Sequence, residues 1–144
     1  MTTWLNEPVC ADDAAETATG VIGHIDGERN FLWACAGHPA PLLLRDGQAS
    51  ELDTSHRGPL FGLLSGHAYA TATVPLRPGD LLLLYTDGMV ERRGEDIGQG
   101  IEGLRRVLVS CAGLGAQETM DRLMAAFTPE ENEDDTCLVA VRLG

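Results

Sequence analysis

Short apolar runs separated by two-residue polar breaks dominate residues 17–52, a pattern that predicts antiparallel hairpins. Residues 17–26 alternate small and β-branched side chains with polar ones, Asp26-Gly27 is a hairpin-type turn, and 31–36 is the return strand. Gly37-His38-Pro39-Ala40-Pro41 interrupts pairing because proline has no N–H to give a ladder. Apolarity resumes at 42–45, Asp46-Gly47 turns the chain again, and 49–52 pairs back. Residues 55–66 are glycine-rich and aperiodic, as a loop is, while 69–74 alternates like a half-exposed strand. Pro78-Gly79-Asp80 is a tight turn into 81–86, whose unbroken apolarity predicts burial on both faces.

The period then changes from two to that of a helix. Ile101, Leu104, Val107 and Leu108 form one stripe over 97–111, and Met120, Leu123, Met124 and Phe127 form another over 117–127, stopped by Pro129. Residues 2–9 read as the last turns of a further helix, with Trp4, Leu5 and Val9 its apolar positions. Residues 136–143 read as a closing strand of central type. Hairpins followed by two helices and a last strand imply an α+β fold with helices packed on sheet.

At 144 residues the chain is the size of one domain, taken as residues 1–144, and its 44% apolar content suits a folded core. The net charge of −12 repels phosphate backbones and anionic lipids, which argues against nucleic acid and membrane partners. Acidic clusters at Asp12-Asp13-Glu16 and 130–135 read as solvated surface. The four cysteines lack CxxC spacing, and Cys35 and Cys137 fall in apolar runs, so buried reduced thiols and a cytoplasmic location are expected. No basic-then-apolar leader opens the chain, and no apolar stretch approaches the ~20 residues that span a bilayer.

Two acidic positions carry the candidate chemistry. Asp87-Gly88 follows the apolar run 81–85, and Asp134-Asp135 opens the run 137–141. A carboxylate at the mouth of a buried strand is costly unless a cation meets it. If the two strands were neighbours, these carboxylates would converge, and hard oxygen ligands suit Mg²⁺ or Mn²⁺ better than zinc. Each also has a plainer reading, a strand-ending Asp-Gly turn for one and a solvent-facing acidic run for the other. His38 beside the strand core reads first as a hydrogen-bonded structural residue, as do His24, His56 and His67. Glu91-Arg92-Arg93 reads first as a solvated patch and second as a contact for an anionic substrate. Gly98-Gln99-Gly100 lacks the context of a phosphate loop, and Ser50, Ser55, Ser65 and Ser110 show no nucleophile elbow.

Three ordered strings, LWACAGHPAPLLLRDG (32–47), LRPGDLLLLYTDGMVERR (76–93) and DDTCLVAVR (134–142), together with the loop Gly58-Pro59-Leu60-Phe61-Gly62, resemble the C-terminal half of bacterial PPM-type serine/threonine protein phosphatases of the SpoIIE kind. The resemblance implies a β-sandwich flanked by helices (αββα), with two Mn²⁺ or Mg²⁺ ions between the sheets. It also implies a metal-activated water that attacks phosphoserine or phosphothreonine directly. The family's TDG aspartate carries over to Asp87 and the first aspartate of its DD motif to Asp134, both as metal ligands, with Asp135 facing away. Where eukaryotic-type relatives carry an aspartate for a third metal, this chain has His38.

Two earlier acidic motifs of the family do not occur here, and Met1 falls near the end of the family's central helix. The expectation is therefore a partial domain, incomplete on its N-terminal side, with weak metal binding and little activity alone. The alternative is a non-catalytic pseudophosphatase or binding fragment. The resemblance further implies bacterial signalling or sigma-factor regulation, with a phosphoprotein substrate such as an anti-sigma-factor antagonist. Sheet edges left by missing strands would favour self-association.

Overall fold

The computed structural model describes residues 3–11, 16–91, 96–127 and 136–144. It is an α+β fold with two antiparallel sheets and three α-helices among the described residues. The chain divides into two compact units, Met1–Ala40 with Asp53–Leu76, and Pro41–Leu52 with Arg77–Gly144.

In the first unit, α1 (Thr3–Cys10) precedes a sheet of order β1 (Gly20–Ile25), β2 (Asn30–Ala36) and β5 (Ala72–Pro75). The Asp26-Gly27 turn joins β1 to β2, with Asp26 Oδ1 accepting the N–H groups of Glu28 and Asn30 at 2.9 and 2.8 Å. Strand β5 starts three residues later than alternation suggests, because Tyr69 leaves the ladder to pack with Phe61, Ala34 and Ala36. Pro75 is tolerated because β5 is an edge strand. The aperiodic loop is held from inside by the fully buried Asn6. Its Nδ2 donates to the Leu64 carbonyl (2.8 Å) and its Oδ1 accepts from Gly62 N–H (3.0 Å). On β2, Trp33 is also fully buried and meets the His56 ring edge-on, centroids 4.5 Å apart.

In the second unit the sheet order is β4 (Gln48–Glu51), β3 (Leu42–Arg45), β6 (Leu81–Tyr85) and β7 (Leu138–Arg142). The apolar run in β6 is explained by its place between β3 and β7. Helices α2 (Ile97–Ser110) and α3 (Ala116–Ala126) close a core of Leu42, Leu44, Leu81, Leu83, Leu104, Leu108 and Leu123. Asp96 caps α2, its Oδ1 accepting from Gly98 N–H at 2.7 Å.

Two expectations need correction. The closing strand is an edge strand and not a central one: β7 pairs only with β6 among the described residues, and Val139 is half exposed. An apolar run does not distinguish a strand with two neighbours from one with a single neighbour and a helix against it. Cys137 is exposed, since it precedes the ladder; Cys35 and Cys111 are buried, Cys10 is half-buried, and all four thiols are free. The stripe side chains of Trp4 and Leu5, together with Asp12, Asp13, Arg92, Arg93, Pro129 and the acidic run 130–135, lie outside what is described.

Candidate metal centre

Asp87 stands where β6 stops. Thr86 is still extended (φ −84°, ψ 159°), and Asp87–Met89 then form one 3₁₀ turn. The Asp87 carbonyl accepts from Val90 N–H (2.8 Å) and Glu91 N–H (2.7 Å), so the backbone is fixed behind the side chain. The half-buried carboxylate accepts one local bond, from Gly88 N–H to Oδ1 at 3.1 Å. Met89 and Val90 anchor the turn in the core.

Gly100 fixes the depth of that turn. A Cβ at this first-turn position of α2 would lie 1.9 Å from the Val90 carbonyl oxygen, so the helix approaches backbone to backbone. Gly100, Leu104 and Leu108 share the buried i, i+4 row of α2, and a glycine at the head of such a row was the sequence signal for this contact.

Strand β7 arrives at the same end of β6. Tyr85 pairs with Leu138, Thr86 N–H donates to the Cys137 carbonyl (3.0 Å), and Cys137 N–H donates to Thr86 Oγ1 (2.9 Å). The two strands expected to be neighbours are therefore neighbours, antiparallel, with the C-terminal end of β6 beside the N-terminal end of β7. Asp134 and Asp135 lie outside the described residues. His38 belongs to the first unit, where Nδ1 lies 3.1 Å from Thr19 Oγ1 and the carbonyl accepts from Cys35 Sγ.

Among the described residues no group of three or more His, Cys, Asp or Glu side chains could hold a metal ion. Asp87 alone fits a hard cation in donor type and in having a free oxygen rim, but it is one ligand. The described side chains do not by themselves make a cage.

The buried Asp80 at the other end of β6 was not singled out by sequence. Arg45 donates Nε to its Oδ1 (2.9 Å) and Nη2 to its Oδ2 (2.5 Å), and Arg77 N–H donates to Oδ2 (2.7 Å). Burial pushes the Asp80 carboxyl up, but these bonds and the charges of Arg45 and Arg77 outweigh it and hold it below the usual carboxylate range.

The family described as Stage II sporulation protein E (SpoIIE) matches residues 1–144. Among solved structures, the RsbU and RsbW domains of Rv1364c from Mycobacterium tuberculosis align with a TM-score of 0.81 at 27% identity, covering 94% of this chain and 40% of that one. The SpoIIE phosphatase domain from Bacillus subtilis, presoaked with manganese, gives 0.69 at 20% identity, covering 99% and 71%. The SiaA-PP2C domain of Pseudomonas aeruginosa gives 0.76 at 21%, covering 96% and 57%. The chain thus spans less than two thirds of the first and third of these. The latter two likenesses establish the fold. No helix among the described residues is long and apolar enough to cross a membrane.

Proposed function

The chain belongs to the SpoIIE family, and on that premise we propose that it forms part of a metal-dependent protein serine/threonine phosphatase, with Asp87 and Asp134 as ligands to Mn²⁺ or Mg²⁺. The observation that carries this reading is the β6–β7 register, which sets Cys137 beside Thr86, one residue from Asp87. Asp134 precedes Cys137 by three residues in sequence, a span of at most ~11 Å, so the proposal asks nothing of the chain beyond its ordinary reach. When bound, such ions lower the pKa of a water and offset charge on the phosphoryl oxygens. The chain's own part is to hold the carboxylate still. The Asp87 carbonyl is tied to Val90 and Glu91, and Gly88 N–H holds Oδ1.

Two carboxylates make a thin cage, so we expect the 144-residue chain to hydrolyse a phosphoserine peptide slowly and only with manganese. Turnover should vanish in Asp87→Asn; turnover in EDTA, or an unaffected Asp87→Asn, would contradict the proposal. The substrate class proposed is a cytoplasmic signalling phosphoprotein, such as an anti-sigma-factor antagonist.

A second reading, a non-catalytic module that pairs with a copy of itself, is favoured by one observation. Strands β1 and β7, which lie at sheet edges among the described residues, carry the exposed Ile25 and Val139, and an apolar sheet edge invites a further strand. Size-exclusion chromatography tests it: a stable oligomer indifferent to manganese supports this module, and a monomer argues against it.

A further inference from the structure

The sequence has ten arginines and no lysine against 22 acidic residues, yet three of those arginines line one cavity of about 540 Å³ in the second unit. Arg45, Arg77 and Arg142 surround it, with the loop between α2 and α3 on one side. It opens at the Asp80 end of β6, whereas Asp87 stands at the other end, seven residues away along the strand, or roughly 23 Å at 3.3 Å per residue.

Two of the three guanidiniums are already held in place. Arg142 Nη1 donates to the Gly79 carbonyl (2.6 Å) and Nη2 to the Leu114 carbonyl. Neutral carbonyls position this cation without neutralising it. Arg45 is fixed by Asp80 in a two-point pair, which spends the buried carboxylate inside the wall. Arg77 is exposed, and among the described residues no hydrogen bond engages its guanidinium. The one further carboxylate on the lining, Asp46, is exposed in the β3–β4 turn. The cavity therefore offers the Arg77 fork, engaged among the described residues only by the nearby charge of Asp80, and the remaining N–H groups of the preorganised Arg142, in a protein whose sequence is strongly acidic. Planar forks of this kind match the oxygens of phosphate, and prior fixation lowers the entropy lost on binding.

We propose that this cavity binds a small soluble molecule bearing a phosphate-class oxyanion. Its volume exceeds that of a bare ion and falls in the range of small-molecule sites, so the phosphate would sit at the arginines with room for the rest of the ligand.

Calorimetric titration with orthophosphate, pyrophosphate and a phosphoserine peptide, in EDTA and at constant ionic strength, tests the proposal without any contribution from a metal centre. Pyrophosphate should bind saturably and more tightly than orthophosphate. Arg77→Gln should weaken it about tenfold, the scale of one charge-assisted contact, while Arg29→Gln, outside the cavity, should leave it unchanged. Arg77 is exposed and its backbone N–H, not its side chain, bonds Asp80, so the variant retains the fold. Absence of saturable binding, or equal binding by Arg77→Gln, would overturn the proposal. Tighter binding of the peptide, lost in Arg77→Gln, would overturn the small-molecule class and assign the site to phosphorylated protein.

Discussion

Gly100 and Val90 touch through their backbones: a methyl group on Gly100 would stand 1.9 Å from the Val90 carbonyl oxygen. This contact seats the turn that presents Asp87, and it reverses an ordinary expectation. Glycine to alanine inside a helix normally stabilises by about 0.5–1 kcal/mol. Here Gly100→Ala should destabilise by about 1–3 kcal/mol, because α2 or the turn must move. Urea denaturation measures it, and a stabilised variant would refute the contact.

The Arg45–Asp80 pair makes a pH-dependent contribution whose sign follows from its chemistry. Asp80 is held below its ordinary pKa, so the pair's stabilisation is complete above the unfolded value, ~3.9, and is lost as pH falls through the depressed native value. Asp80→Asn should cost about 3 kcal/mol at pH 7, since it leaves the Arg45 charge without its carboxylate. The gap between wild type and variant should shrink as the pH drops below about 4. Denaturation midpoints at pH 7 and pH 3 check both statements; a gap independent of pH would count against them.

Asn6 ties α1 to the aperiodic loop through Leu64 and Gly62. Replacing it with alanine leaves the part-buried Gly62 N–H without its partner and the Leu64 carbonyl with only the long bond from His67 N–H (3.4 Å), at a cost of about 1–2 kcal/mol. The loss should appear first as faster hydrogen exchange at Gly62. Unchanged exchange there would show that the loop is held by something else.

Much of the fold is legible locally. Asp26-Gly27 and Asp46-Gly47 announce their hairpins through turn chemistry, and the stripe Ile101, Leu104, Leu108 announces α2. The rim at Asp87 is legible too, because a carboxylate after five apolar residues has few inexpensive uses. What escaped depends on partners distant in sequence. Arg45 meets Asp80 across 35 positions and Asn6 meets Leu64 across 58, and no local period encodes either pairing. The edge position of β7 escaped for a similar reason, since its apolar run reflects one neighbouring strand and packing against α3, not two strands. Gly100 was visible as a residue but not as a contact: only the i, i+4 row it heads shows that it faces inward.

The proposed function requires Asp87 and Asp134 to share one cation. Titration of Mn²⁺ followed by electron paramagnetic resonance, on the wild-type chain, Asp87→Asn, Asp134→Asn and the double variant, tests it most directly. If both carboxylates hold the ion, wild type should show weak saturable binding. Each single variant should lose at least about tenfold, the scale of one charged ligand, and the double variant should bind no more tightly than either. Wild-type affinity in either single variant would contradict a shared site.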